Sequence, residues 1–140
     1  MMTSERYLLD TCAIIFLANA ERVADEVVQV LSAERPDSHG IFVSAFSAWE
    51  IAKLVSKGRL HLTRAPLPWF EEATARFGAE VLPATAEVLV ASCFLPEPLH
   101  GDPADRILVA TAREHDLTII TRDRAVLAYG AAGHVKVLAC

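Results

Sequence analysis

The feature that most constrains this chain is a set of short apolar runs separated by helix-length stretches. Tyr7-Leu8-Leu9, Ile41-Phe42-Val43, Glu80-Val81-Leu82, Leu117 to Thr121 and Val135 to Leu138 read as strands. Runs this short and this apolar fit strands covered on both faces, and the helical stretches between them fit right-handed βαβ crossovers. The expected fold is therefore α/β, with three layers and a short parallel sheet flanked by helices.

Capping chemistry places several of the helices. Asp10 ends the first strand and Thr11 opens an apolar helical stretch. A second helix is expected over Ala24 to Ala33, closed by the turn cluster Pro36-Asp37-Ser38-His39-Gly40. Ser44 is placed to cap a helix that runs to about Lys57 and stops at Gly58. Further helices are expected at Trp69 to Phe77, at Ala86 to about Leu95 before Pro96, and after Arg122. The clearest start is Asp102-Pro103-Ala104-Asp105, with a capping Asp, a proline at the first helical position and an acid in the first turn.

At 140 residues, 53% of them hydrophobic and 22% charged, the chain has the size and composition of one packed domain spanning 1–140, with no repeat or linker. Its beginning lacks the order of a signal peptide, and its longest apolar stretch, Cys12 to Ala18, is too short to span a bilayer; a cytoplasmic protein with no membrane partner is expected. Cys12, Cys93 and Cys140 match neither a disulfide framework nor a zinc motif, and reduced thiols, Cys12 buried among them, are the expectation.

Two acids stand at strand ends independently. Asp10 terminates Tyr7-Leu8-Leu9, and Asp123 lies two residues beyond Thr121. In an open parallel sheet ligands bind beyond the carboxyl ends of the strands. Each acid alone could equally be a helix cap. Glu50 belongs to the helix that begins at that same edge, on its more polar side with Ser47, Lys53 and Lys57; a surface pair with Lys53 is the plainer alternative. Asp105 sits in a first helical turn, where the dipole favours negative charge whether or not it has a further role. Four carboxylates converging on one edge would repel unless a divalent cation neutralised them, and an all-oxygen donor set suits Mg2+ or Mn2+ in phosphodiester chemistry.

The segments LLDTCAI, FVSAFSAWEIAKLVSKGRL, HGDPADRILVATA and LTIITRD resemble, in order and spacing, PIN-domain toxins of the VapC type, and the resemblance covers nearly the whole chain. It implies a PIN-like fold, Asp10, Glu50, Asp105 and Asp123 as catalytic and metal-site acids, and Thr11, Ser47 and Thr121 as supporting hydroxyls. Asp102 also lies near, but is better explained as the cap. The resemblance further implies an endoribonuclease using Mg2+ or Mn2+, a homodimer, and a small VapB-like antitoxin that blocks the active site.

A formal charge of −5 is the wrong sign for holding RNA by bulk electrostatics. Binding would have to be local. The interval between Glu50 and Glu71 contains no acid but holds Lys53, Lys57, Arg59 and Arg64, either as a solvated surface or as phosphate contacts. Arg106, Arg122 and Arg124 stand beside the acids, as phosphate ligands or as ion-pair partners.

Other classes are less well supported. A receiver domain would need a second acid ahead of Asp10, where Leu8 and Leu9 stand, and a lysine after Thr121, where Arg122 stands. An aspartate-nucleophile phosphatase would need an Asp at the position of Cys12, and no glycine-rich nucleotide motif occurs. The alternative within the same fold is a catalytically silent PIN-like module that binds RNA or protein; the presence of all four acids argues against it.

Overall fold

The computed structural model describes residues 5–33 and 40–140. In chain order the elements are β1 (Tyr7–Leu9), α1 (Thr11–Ala18), α2 (Asp25–Ser32), β2 (Ile41–Ser44), α3 (Ala45–Ser56), α4 (Pro66–Arg76), β3 (Glu80–Leu82), α5 (Ala86–Ser92), α6 (Pro103–His115), β4 (Thr118–Thr121), α7 (Arg124–Ala131) and β5 (Lys136–Ala139). The strands form a sheet of order β3-β2-β1-β4-β5, parallel throughout.

Side-chain alternation along the strands splits the apolar residues into two cores. Leu8, Phe42, Leu82 and Ile119 pack on one face with α5, α6 and α7, through Val88, Ile107, Leu108, Val126 and Tyr129. Leu9, Val43 and Ile120 pack on the other with α1 to α4, through Ala13, Ile14, Val27, Ile51 and Phe70. The expected three-layer architecture is what the chain adopts. With both faces covered, strands of three or four residues suffice, because each contributes apolar contacts to two cores rather than one.

The chain first moves outward from β1 to β2 to β3 by helices on one face. It then crosses to β4 and continues to β5 by helices on the other. Strand order therefore reverses between β1 and β4, which opens a crevice at the carboxyl ends of these two strands. They are tied there by the hydrogen bond from Asp10 N to Ile120 O, 3.2 Å.

The differences from the sequence reading lie at element ends. α4 begins at Pro66 rather than near Trp69, since a proline at the first helical position lacks only an N–H that would be unpaired there anyway. α5 stops at Ser92 instead of near Leu95. α3 ends as expected, with Lys57 as its C-cap and Gly58 at φ +71°, a left-handed conformation that glycine adopts without strain. Of the turn expected at Pro36-Asp37-Ser38-His39-Gly40, all but Gly40 lies outside the described residues.

Gly130 marks the closest approach of α7 to β5, where an added Cβ would overlap both methyls of Val137. Alanine would gain ~1 kcal/mol of helix propensity, whereas overpacking against a stiff β-branched side chain costs ~1–3 kcal/mol. Gly130→Ala is accordingly expected to lower the urea midpoint, by a net loss of up to ~2 kcal/mol. A raised midpoint would mean that β5 yields at no cost.

Candidate active site

Asp10 leaves β1 in extended conformation, and its Oδ1 accepts the Ala13 N–H at 2.7 Å, capping α1. Asp123 does the same for α7, with Oδ2 accepting from Val126 N at 2.9 Å. The cap reading and the site reading of these acids thus coexist, because capping uses one carboxylate oxygen and a carboxylate has lone pairs to spare. Between them stands Thr121, fully buried at the end of β4. Its hydroxyl oxygen accepts from Asp123 N at 3.0 Å, and its side chain is also hydrogen-bonded to Asp10.

Glu50 reaches the crevice from the second turn of α3. Its Oε1 accepts from Thr11 Oγ1 at 2.5 Å, and Thr11 in turn shares a 2.9 Å hydrogen bond with the buried Ser47. Thr11, Ser47 and Thr121, the hydroxyls expected beside the acids, make these contacts. Lys53, the alternative partner of Glu50, instead places its ammonium 5.0 Å from the centroid of the Trp49 ring.

Asp105 enters from the N-terminus of α6, which starts at this edge and runs away from it toward the beginning of β4. Asp102 caps that helix, its Oδ1 accepting from Ala104 N at 2.9 Å and more loosely from Asp105 N at 3.5 Å. Asp10, Glu50, Asp105 and Asp123 together line a cleft of about 270 Å3, with Thr11, Cys12, Phe16, Leu108 and Arg122. A larger cavity, of about 650 Å3, lies at the far ends of α6 and α7. Its charged groups are tied up locally, Lys136 to Asp116 at 3.0 Å and Arg113 to the His134 carbonyl.

The cleft is electrostatically costly. Burial first, then the charges of Asp123 and Asp102, push the Asp105 carboxyl up to about 7. Asp10 is raised by burial and, less, by Asp123, against the opposing hydrogen bonds from Thr121 and Ala13 and the charge of Arg122. Glu50 is raised by burial above all. Such a set of hard oxygens, desolvated and mutually repelling, is suited to a divalent cation.

One sequence expectation needs correction, and one residue is added. Cys12 is exposed at the cleft rather than buried, and desolvation together with the surrounding acids pushes its thiol up to about 11, so it is a poor nucleophile. Arg106 and Arg122 are engaged within the protein. Arg106 donates to the carbonyls of Ser92, Leu99 and His100 at 2.9, 3.0 and 3.3 Å. Arg122 donates to those of Cys140 and Arg22, and its guanidinium carbon lies 4.1 Å from the centroid of the Phe16 ring. The addition is His100, which sequence reasoning missed: its Nε2 lies 3.2 Å from Asp105 Oδ2 and 3.9 Å from Asp123 Oδ2. Those three residues can offer donor atoms all within 4.8 Å of one another. The signal was available in the segment His100-Gly101-Asp102-Pro103-Ala104-Asp105, but a lone loop histidine carries no spacing rule.

In the basic interval, Arg64 pairs with Glu72 on α4, while Lys57 and Arg59 are exposed.

The raised Asp105 pKa has a thermodynamic consequence. The folded chain holds the Asp105 proton more tightly than the unfolded chain does, so without metal the fold is expected to gain stability as pH falls from about 7 toward 4. The slope from this one group is at most ~1.4 kcal/mol per pH unit. Asp105→Asn should flatten it, as melting temperatures in EDTA across that range will show. A divalent cation competes with the proton, so its added stabilisation should increase with pH. Asp102→Ala removes a cap, at a cost of ~1 kcal/mol, and the cost should shrink toward pH 7, where the variant also loses the repulsion between Asp102 and Asp105.

Comparison with known proteins places this arrangement. The chain is 34% identical over 82 residues to Ribonuclease VapC22 of Mycobacterium tuberculosis, a stretch covering 59% of this chain and 62% of that protein's length. Its fold superimposes on VapBC2 from Rickettsia felis, bound to a DNA fragment from its promoter, with a TM-score of 0.66 and 14% identity over 95% of this chain and 97% of that one. It also matches FitAcB from Neisseria gonorrhoeae, at 0.59 and 22% identity over 94% and 96%. Residues 7–131, from the first strand through the last helix, match the PIN domain, and the chain belongs to that family.

Proposed function

We propose that this chain is a divalent-cation-dependent endoribonuclease, the toxin of a toxin–antitoxin pair, working as a single PIN domain over residues 1–140. The observation that carries this reading is the convergence of Asp10, Glu50, Asp105 and Asp123 from four separate elements on the crevice between β1 and β4. A curated ribonuclease relative of the same family supports it.

In this reading Asp10, Asp105 and Asp123, with Glu50, hold Mg2+ or Mn2+. Bound there, the cation would acidify the attacking water and neutralise charge on the scissile phosphate. The protein's own work is orientation. Thr121 fixes Asp10 and the Asp123 backbone, the Thr11 hydroxyl aims Glu50, and Ser47 secures Thr11. RNA phosphates meet the exposed cations Lys57 and Arg59, at the end of the helix that carries Glu50, and with them Lys53 and Arg64. These contacts are local, as an acidic protein requires.

The reading also includes partners. Val90 and Phe94, at and just beyond the end of α5, are 61% and 82% exposed, and Trp49 on α3 is 54% exposed. These exposed apolar side chains are proposed as part of a homodimer contact. A small VapB-like antitoxin is proposed as the inhibitor, by analogy with the solved complexes. Among the described residues no helix is long and apolar enough to cross a membrane. A cytoplasmic location fits that fact and the three free cysteines.

Purified protein is expected to cleave RNA with Mg2+ or Mn2+ and to stop in EDTA. Asp10→Asn and Asp123→Asn should reduce cleavage to background and weaken Mn2+ binding. Asparagine caps a helix about as well as aspartate, so these variants remove charge without removing the cap, and their metal-free melting temperatures should match or exceed the parent's. Cleavage that survives EDTA would refute the metal-dependent reading. Replacing Lys57 and Arg59 by Ala should reduce the salt dependence of RNA binding by roughly one unit of logarithmic slope per lost contact; an unchanged slope removes them from the interface.

A further inference from the structure

His100 is held from three directions before it meets the acids. Arg106 donates to the carbonyls of Ser92, Leu99 and His100 itself, and the Tyr129 hydroxyl donates to Pro96 O at 2.6 Å, so the segment ahead of α6 is fixed at several points. The imidazole Nδ1 accepts the backbone N–H of Asp102 at 3.1 Å. Asp102 is itself fixed as the cap of α6.

That hydrogen bond decides what the far side of the ring can do. A ring nitrogen that accepts carries a lone pair, so a neutral imidazole held this way keeps its hydrogen on Nε2. Nε2 is the atom that faces the acids, 3.2 Å from Asp105 Oδ2 and 3.9 Å from Asp123 Oδ2. A hydrogen on that atom is turned toward Asp105 and lies within electrostatic reach of Asp123. To bind a cation through Nε2 the ring would have to move its hydrogen to Nδ1, which would then face another hydrogen donor, the Asp102 N–H. The proximity of the three donor groups is therefore not a three-ligand site in this arrangement.

We propose that His100 is a positioning residue of the acid cleft, whose Nε2–H holds the Asp105 carboxylate beside Asp123 so that both face the cation together. It acts through the acids rather than as a ligand. This rests on the reading of the cleft as a divalent-cation site. Outer partners that orient carboxylate ligands commonly change metal affinity 10–100-fold when removed, and Asp105 stands among the acidic neighbours Asp123, Asp102 and Glu50.

The test uses the intact chain and three readouts. Nitrogen NMR of the 15N-labelled protein in EDTA should show the His100 Nε2–H tautomer, and saturation with diamagnetic Mg2+ should leave it unchanged. Calorimetric titration with Mn2+ should give His100→Ala an affinity at least ~10-fold below the parent, whereas His100→Gln, whose amide N–H can reach the same carboxylate, should recover most of the loss. The melting temperature in EDTA should follow the same order, with His100→Ala lowest. Three results overturn the proposal: an Nδ1–H tautomer in the free protein or on adding Mg2+, which marks a ligand; a His100→Gln variant as weak as His100→Ala; or a His100→Ala variant indistinguishable from the parent. If the parent itself bound neither Mn2+ nor Mg2+, the cation reading would fall separately, and the tautomer and the metal-free melting order would still judge the contact between His100 and Asp105.

Discussion

Bringing several carboxylates into a partly desolvated crevice is unfavourable, and the structure around this cleft is arranged to hold them there. Three of the acids are engaged by donors that belong to the fold, Asp10 by the first turn of α1 and by Thr121, Asp123 by the first turn of α7 and Glu50 by Thr11, while the His100 ring stands 3.2 Å from Asp105. Most of these donors are backbone or hydroxyl groups, which orient a carboxylate without neutralising it. Directional hydrogen bonds fix geometry while net charge accumulates, and accumulated charge of this kind suits a cation.

The sheet topology is what lets this happen in so small a chain. Because strand order reverses between β1 and β4, the two crossover layers diverge at their carboxyl ends and leave a gap that no connection has to bridge. Helices that follow β1, β2 and β4 start at this edge, and α6, which precedes β4, also has its N-terminus there. Helix starts carry exposed N–H groups and the positive ends of their dipoles. Their shared placement gives an acidic cluster its best available backbone environment, and it explains why Asp10 and Asp123 serve as caps and as cleft residues at once.

Arginines near the cleft contribute to the scaffold. Arg106 secures the segment that carries His100, and Arg122 joins the end of β4 to Cys140 and to the backbone at Arg22, on the stretch leading to α2. Their planar guanidinium groups can satisfy several carbonyls at once, which suits them to tying loops. Among the exposed cations, Lys57 and Arg59 lie in the acid-free interval at and beyond the end of α3, the helix that carries Glu50. A run of cations without acids lets a chain of formal charge −5 present a local positive surface.

The sequence by itself determined the α/β class, the parallel sheet and the acids of the cleft, because these depend on short-range signals. Apolar run length and alternation define buried strands, and Ser44, Asp102 and Gly58 punctuate helices through chemistry that acts within a turn. The edge at which Asp10, Glu50, Asp105 and Asp123 gather followed from strand polarity, which a βαβ pattern fixes without coordinates. Tertiary structure decided the rest, for physical reasons visible in particular residues. The start of α4 at Pro66 and the early end of α5 depend on what each terminus packs against. The engagement of Arg106 and Arg122 depends on carbonyls from distant segments, and the exposure of Cys12 depends on how the crevice opens. His100 was illegible because its role follows from the two partners of its ring, the Asp102 N–H on one side and the Asp105 carboxylate on the other. No pattern of neighbours in the chain states that pair of contacts; only the folded loop does.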